Sequence, residues 1–235
     1  MAIREKATVK KSNNLSSGAL GSIISKLKTE YPSTFPQATE AGTVKRIITS
    51  SPKINYIFNG GFPLGRIIEL FGPSSGGKTV LASYIGGQVQ QRKDGGPPTV
   101  LFIDFEKTFD WRYADTAGMK CEEPDLIYMS PLNGEEAFTY TQELVSTGQL
   151  GLIIWDSVAA TPTNASMEDD YSKANFGSTA KLFSEGLRKL NAYLSRYNTS
   201  LLLLNQVRDK IGFSSGYGPQ EQCVAPETMV DISFP

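Results

Sequence analysis

A stretch of eight residues has the composition of a phosphate-binding loop. It consists of Gly72, Pro73, Ser74, Ser75, Gly76, Gly77, Lys78 and Thr79, and it fits the pattern Gly-x-x-x-x-Gly-Lys-Thr. Glycines let backbone N–H groups point inward around a phosphate, and a following helix N-terminus adds partial positive charge. Lys78 would then contact the β- and γ-phosphates, while the Thr79 hydroxyl would hold Mg²⁺. We therefore expect this loop to bind a nucleoside triphosphate rather than to be a glycine-rich turn that binds nothing.

The segments around the loop predict an α/β fold. Apolar, strand-like runs cover 66–71, 99–104, 126–129, 152–156 and 200–205. Amphipathic stretches of helical length cover 78–91, 111–119, 134–147 and 177–197. Continuous apolar strands separated by helices are typical of a parallel sheet with helices on both faces. A short helical stretch at 16–31 and a connector to about residue 43 precede this region.

Polar side chains follow three of the predicted strands. Glu106 comes shortly after strand 99–104, Asp156 ends strand 152–156, and Gln206 follows strand 200–205. Ligands of open parallel sheets bind at the carboxyl ends of the strands, so these side chains should converge on the phosphate loop. Asp156 would hold the metal through water, and Glu106 would polarise the attacking water. Taken singly, each could instead be an ordinary strand-end residue that faces solvent.

Composition excludes several classes of function. The 235 residues include 23 basic and 24 acidic side chains and no histidine, which removes histidine acid–base catalysis and histidine metal ligands. The two cysteines, Cys121 and Cys223, form no CxxC pattern, so neither a zinc site nor a disulfide framework is indicated. Residues 1–12 carry four basic residues and one acid, which favours a solvated tail over a DNA-binding arm. No segment predicts secretion or membrane insertion.

Several blocks of the sequence resemble one known family. They lie at 65–73, 102–106, 156–160, 187–190 and 205–212, and their order and spacing are similar to those of the bacterial RecA recombinase family and its phage relatives. The resemblance covers about 18–222. It implies a P-loop NTPase with a RecA-like core. Two positions depart from the family pattern, because Gly76 stands where serine is usual and Lys107 stands where histidine is usual.

The resemblance implies an ATP-dependent DNA recombinase that uses Mg²⁺. Such an enzyme forms homo-oligomeric filaments on single-stranded DNA and exchanges strands with double-stranded DNA, in recombination, DNA repair and the SOS response. It works in the cytoplasm of a bacterial or phage-infected cell. Glu106 would activate water, Tyr113 would stack on adenine, and Gln206 would sense the γ-phosphate. The alternative is a non-hydrolysing mediator or paralogue that binds ATP and DNA; a hexameric helicase-type or clock-type ATPase is less favoured.

The resemblance also implies two DNA-binding loops, near 165–176 and from residue 207 onward. The implied DNA-binding residues are Lys181, Arg188, Arg208, Lys210, Phe213 and Tyr217. Physically, aromatic side chains can stack on bases and cations can meet phosphates. Without the resemblance, the second loop would be interpreted as an ordinary mobile loop, and the two cations at 181 and 188 as part of a solvated helix face.

The C-terminal residues predict a third region. We assign 1–43 to a basic arm, polymerisation helix and connector, 44–222 to an incomplete ATPase core, and 223–235 to a possible start of an intein. Cys223 begins a segment that resembles the first block of an intein, and its thiol could attack the Gln222 carbonyl. Either the chain is a fragment, or a separately encoded C-terminal half completes the protein; the alternative to an intein is a recombinase truncated by a frameshift into unrelated sequence. We also expect strand 201–205 to lie at an unpaired sheet edge, which would make the chain poorly soluble.

Overall fold

The computed structural model describes residues 19–31, 44–168, 177–206 and 230–233. The chain divides into two compact units, Met1–Thr43 and Val44–Pro235, and each is described by itself. In the first unit, helix α1 runs over Ala19–Glu30. This helix lies inside the stretch 16–31 that the sequence predicts to be helical.

The described part of the second unit contains eight strands and six helices. The strands are β1 (Arg46–Ile47), β2 (Phe62–Pro63), β3 (Ile67–Gly72), β4 (Thr99–Asp104), β5 (Leu126–Met129), β6 (Leu150–Asp156), β7 (Ser200–Gln206) and β8 (Val230–Ser233). The helices are α2 (Pro52–Ile57), α3 (Lys78–Gln90), α4 (Trp111–Thr116), α5 (Gly134–Ser146), α6 (Asn164–Glu168) and α7 (Ser178–Tyr197). All five predicted strands and all four predicted helices of this region are present, within a few residues at their ends.

Strands β3 to β8 form one sheet in the order β5-β4-β6-β7-β3-β8, and every neighbouring pair is parallel. The register places Gly72 beside Gln206 and Asp104 beside Asp156. The phosphate loop and the polar strand ends therefore share the carboxyl edge of the sheet, as expected for an open parallel sheet.

Apolar side chains cover both faces of the sheet. Val100 and Phe102 of β4 belong to the same buried cluster as Ile85 of α3. Leu101 and Ile103 alternate with them and belong to a second cluster, which includes residues of α5 and α7. Because both faces are buried, the strands are continuous apolar runs instead of alternating ones. The predicted α/β class with helices on both faces is confirmed.

Helix α7 is the longest of the described helices, with twenty residues. Every third or fourth residue from Phe183 to Leu194 is buried against the sheet, whereas Lys181 and Arg188 are exposed. This pattern is that of an amphipathic surface helix. Among the described helices, α7 included, none combines the length and the apolar character needed to cross a lipid bilayer.

The expected position of strand 201–205 at an unpaired edge is wrong. This strand is β7, which lies inside the sheet and pairs with β6 on one side and with β3 on the other. The next strand in sequence, β8, pairs with β3 beyond it. Local periodicity identifies a strand but carries no information on its order in the sheet, and this explains the error.

The short elements β1, β2, α2 and α6 are absent from the sequence-based prediction. Strands β1 and β2 pair antiparallel over only two residues each, which is too short for a periodic pattern. Helix α2 has recognisable start signals, since the Ser51 hydroxyl accepts a hydrogen bond from the Ile54 N–H and Pro52 is at its first turn. Helix α6 occupies the start of the segment predicted as the first DNA loop, and 169–176 lie outside the described residues.

Candidate nucleotide-binding and hydrolysis site

Residues 72–79 connect β3 to α3, the position that the sequence predicts for the phosphate loop. Gly77 immediately precedes α3 and has a left-handed backbone with φ +80°, a conformation in which glycine avoids the strain that other residues would suffer. Residues 73–77 are exposed. The first N–H groups of α3 have no partner within the helix. The Gly76 N–H donates to the Pro73 carbonyl at 3.2 Å. The loop therefore presents a helix N-terminus on the surface.

The Lys78 side chain lies across this loop. Its Nζ donates hydrogen bonds to the carbonyl oxygens of Pro73 at 2.8 Å and of Gly72 at 3.2 Å. The side chain is half-buried. The positive charge is consequently held within the loop, where it would meet an incoming phosphate.

Thr79 and Asp156 are joined directly. The Thr79 hydroxyl donates a hydrogen bond of 2.8 Å to Oδ2 of Asp156, although the residues come from α3 and β6. Burial raises the pKa of Asp156 to about 6, and the negative charges of Glu106 and Asp104 act in the same direction. The Thr79 hydrogen bond and the Lys78 charge oppose this rise. A cation bound here would favour the charged carboxylate.

Glu106 receives two short hydrogen bonds on one oxygen. The Ser157 hydroxyl donates to Oε1 at 2.7 Å, and Nε2 of Gln206 donates to the same atom at 2.6 Å. The backbone N–H of Phe105 donates to the Asp156 carbonyl at 2.7 Å. The structure thus brings the predicted residues Glu106, Asp156 and Gln206 to one edge of the sheet.

A buried carboxylate shapes the segment that carries Glu106. Asp104 is 1% exposed and accepts hydrogen bonds from the Lys107 N–H at 2.6 Å and the Phe109 N–H at 3.1 Å. The Tyr128 hydroxyl donates to it at 3.0 Å, and burial together with this bond raises the pKa of Tyr128. Asp104 therefore folds the chain after β4 into a turn. Sequence reasoning missed this role, although the residue's position at a strand end was a usable signal.

A second buried contact holds the backbone at Asn205, the residue that precedes Gln206. Nδ2 of Asn205 donates to Oε1 of Glu69 at 2.8 Å, and Oδ1 of Asn205 accepts the backbone N–H of Gln206 at 2.9 Å. Asn205 and Glu69 are each 1% exposed. Sequence reasoning also missed this pair, because it depends on the pairing of β7 with β3.

The adenine position is less defined than the phosphate position. A cavity of about 340 Å³ opens beside the phosphate loop, where Leu70, Phe71 and Leu81 contribute apolar wall. Tyr113, the residue predicted to stack on adenine, lies on α4 and is 67% exposed. No described contact joins the Tyr113 side chain to the phosphate loop, and adenine stacking stays a prediction.

The predicted DNA-binding residues fall into two groups. Lys181 and Arg188 are exposed on α7. The others lie outside the described residues, as does the predicted intein nucleophile: Arg208, Lys210, Phe213, Tyr217 and Cys223.

The residues present fit ATP and Mg²⁺. The exposed glycine-rich loop, the Lys78 ammonium group and the start of α3 are suited to phosphates. The hydroxyl of Thr79 and the carboxylate of Asp156 are oxygen ligands of the kind that Mg²⁺ prefers. Within the described ranges, no three acidic, cysteine or histidine side chains are grouped to hold a metal by themselves. Phosphate oxygens and water would have to complete the coordination.

A parallel sheet whose strand β3 enters a Gly-Lys-Thr loop, with acidic side chains after β4 and β6, defines a phosphate-loop nucleotide-binding domain. Residues 35–224 match the RecA N-terminal domain family. The chain belongs to this family.

Among its relatives, the protein RecA of Deinococcus radiodurans is 44% identical over 157 residues, which are 67% of this chain and 42% of the relative. The protein RecA of Fusobacterium nucleatum is 42% identical over 160 residues, which are 68% of this chain and 40% of the relative. The protein RecA of Thermus thermophilus is 41% identical over 157 residues, which are 67% and 44% of the two chains. The matched region thus spans less than half the length of these relatives.

Proposed function

We propose that the chain is the N-terminal part of an ATP-dependent DNA recombinase. In this proposal it binds and hydrolyses ATP, forms filaments on single-stranded DNA, and promotes homologous pairing and strand exchange in recombination and DNA repair. It would act in the cytoplasm of a bacterial or phage-infected cell. The observation that carries the proposal is the pair of contacts at one sheet edge, Thr79 with Asp156 and Glu106 with Gln206.

Each side chain has a distinct task in this proposal. The loop N–H groups and Lys78 would hold the phosphates, and Tyr113 would stack on the adenine. Mg²⁺, when bound, would offset phosphate charge, held by Thr79 and through water by Asp156. Glu106 would orient the attacking water and accept its proton. These tasks need no histidine, which the chain lacks.

Gln206 would couple the nucleotide to DNA. Its Nε2 donates to Glu106, and the residue that follows it begins the segment proposed as the second DNA loop. A γ-phosphate would draw this amide away from Glu106 and move the start of that segment. Release after hydrolysis would restore the contact with Glu106, so that the loop alternates between two arrangements.

The proposal is tested with the chain as it stands and with a longer chain that matches the relatives over their full length. ATP binding should require Mg²⁺ and turnover should be measurable, with single-stranded DNA bound in the presence of ATP. Binding of ATP and DNA without turnover by either chain would favour the alternative, a non-hydrolysing mediator or paralogue. Failure to bind ATP would contradict both.

We also propose the domain division 1–43, 44–222 and 223–235, in which Cys223 begins an intein segment and a separately encoded C-terminal half completes the protein. The proposal rests on the sequence resemblance alone, because Cys223 lies outside the described residues. Mixing the chain with that half should give a product joined at Gln222. Cys223→Ala should block joining, while Cys121→Ala should not. No joined product from the unaltered pair would contradict the proposal.

A further inference from the structure

Ser157 connects the proposed metal site to the proposed water-activating group. It follows Asp156 directly, is 1% exposed, and donates from its hydroxyl to Oε1 of Glu106 at 2.7 Å. Both hydrogen bonds that the described residues make to the Glu106 side chain reach Oε1. Oε2 is then the oxygen that can face a water molecule.

The backbone of Ser157 is itself held by buried groups. The Thr161 hydroxyl donates to the Ser157 carbonyl at 2.8 Å and accepts a hydrogen bond of 2.9 Å from Nε1 of Trp155. The indole of Trp155 is fully buried and packs against the ring of Phe105, with 5.6 Å between ring centroids. Phe105 is the neighbour of Glu106. Ser157 is therefore held to the Trp155 indole through Thr161. Glu106 is held to the same indole through its neighbour Phe105.

The two donors to Glu106 differ in what they do during the proposed cycle. Gln206 would leave Glu106 for the γ-phosphate, whereas Ser157 is itself buried and its carbonyl is held by the Thr161 hydroxyl. A carboxylate that lost both donors would rotate freely, and loss of orientation costs rate even when the group is present. One fixed donor is thus needed at the time when hydrolysis occurs.

We infer that Ser157 is a positioning residue, anchored by Thr161 and Trp155, that keeps Glu106 aimed at the attacking water after Gln206 has turned to the nucleotide. The inference deepens the proposed function and rests on it. Ser157 does not touch the reacting atoms and acts through Glu106.

The main test is the variant Ser157→Ala. We expect kcat for ATP to fall about 10-fold to 100-fold, the range seen when a supporting hydrogen bond to a site residue is lost, with KM for ATP changed less than about twofold. In the Glu106→Gln background, Ser157→Ala should give no further loss of kcat, because both changes remove the same aimed carboxylate. Equal losses in both backgrounds would overturn the inference.

Matched controls exist at the other end of the strands. The Ser200 hydroxyl is buried and donates to the Pro63 carbonyl at 2.8 Å, so Ser200→Ala removes a comparable hydrogen bond. It should leave kcat unchanged. Thr161→Val should lower kcat by a smaller factor than Ser157→Ala, and Thr199→Val, which removes a buried bond to the Leu150 carbonyl, should not lower it. Thr161→Val also keeps the inference testable if Ser157→Ala does not fold.

A second readout separates this inference from the proposed function. If the unaltered chain binds ATP but does not turn it over, the proposed hydrolysis fails, and urea unfolding midpoints still test the contact. Non-additive midpoints for Ser157→Ala and Glu106→Ala, which removes the acceptor oxygen, support the positioning contact. Additive midpoints, or a kcat loss in Ser200→Ala equal to that in Ser157→Ala, overturn it.

Discussion

The two ends of one parallel sheet use polar side chains in different ways. At the carboxyl edge, side chains from separate elements bond one another, as Thr79 does with Asp156 and Gln206 with Glu106. At the amino edge, buried hydroxyls bond backbone carbonyls, as Thr199 does with Leu150. A side chain can exchange its partner for a ligand, whereas a bond to a backbone carbonyl fixes two strands. The first edge is suited to chemistry and the second to stability.

The charged side chains also differ between the two edges of the sheet. Asp104 and Asp156 are buried at the carboxyl edge beside Glu106, and the pKa of Asp156 rises to about 6. Near the amino edge, Arg92 pairs with Asp94 and Lys120 pairs with Asp125, and at least one side chain of each pair is half exposed or more. Clustered like charges with a raised pKa are typical of functional sites. Exposed pairs contribute little to stability.

Lys78→Ala should have the largest effect, because it removes the cation held across the phosphate loop. We expect ATP binding to be lost or weakened by a factor on the order of 10² or more, since the β- and γ-phosphates lose a charge-assisted donor worth about 3 kcal/mol. Calorimetric titration with Mg²⁺ and ATP measures this. Lys120→Ala removes the same charge near the amino edge and should bind as the unaltered chain does. Equal affinities for the two variants would contradict the phosphate-loop assignment.

Glu106→Gln should affect turnover and not binding. The amide oxygen can still accept hydrogen bonds from Ser157 and Gln206, so the geometry should persist while the proton acceptor is lost. We expect kcat to fall by a factor of about 10² to 10⁴, the range for an oriented general base. A steady-state phosphate-release assay measures it, with the exposed Glu122→Gln as control. Turnover at the unaltered rate would remove Glu106 from its proposed role.

The strands of the fold were more predictable than their arrangement. The bounds of β4 and β5 coincide with the predicted ones, because both are short apolar runs between clear loop signals. The position of β7 inside the sheet was not predictable from the same signal. Strand order depends on crossovers and packing, which no local pattern in one strand records.

The candidate site also has one part that the sequence predicts and one part that it does not. Glu106, Asp156 and Gln206 could be placed at one edge, because the carboxyl ends of parallel strands meet there. Their partners could not, since the contacts of Ser157 and Asn205 depend on register and on side-chain rotamers. The roles of residues outside the described ranges, including those of the proposed second DNA loop, remain predictions.

A moderate effect is expected from the exposed cations of α7. This helix runs towards the start of β7, so Lys181 in its first turns is nearer the carboxyl edge than Arg196 in its last turn. If the proposed DNA surface includes Lys181 and Arg188, replacing both with alanine should weaken single-stranded DNA binding. The slope of log binding constant against log salt concentration should also become shallower by roughly 0.7 per lost phosphate contact. Fluorescence anisotropy at several salt concentrations measures this. Arg196→Ala should bind DNA unchanged; an equal loss would mean that the contact is not localised to one edge.

The smallest effect is expected at the Arg92–Asp94 pair near the amino edge. The hydrogen bond and charge of Arg92 lower the pKa of Asp94 from 3.8 to about 2. A carboxyl whose pKa is lower in the folded state stabilises the fold above its ordinary pKa, and this contribution disappears as the pH falls from about 4 to about 2. The Arg92 side chain is only 4% exposed, but Asp94 is half exposed, so solvent screens the pair. Asp94→Asn should therefore reduce the free energy of unfolding at pH 7 by less than about 1 kcal/mol.

Urea unfolding between pH 7 and pH 3 tests this, with Asp115→Asn as a control that has no ion pair among the described residues. The difference between Asp94→Asn and the unaltered chain should shrink below pH 4, and ATP affinity should stay the same at pH 7. A loss above about 2 kcal/mol would show that the pair is a buried structural contact rather than a surface one. A change in ATP affinity would mean that the amino edge communicates with the phosphate loop through α3, whose last turn precedes Arg92. The contrast between the two edges would then have to be abandoned.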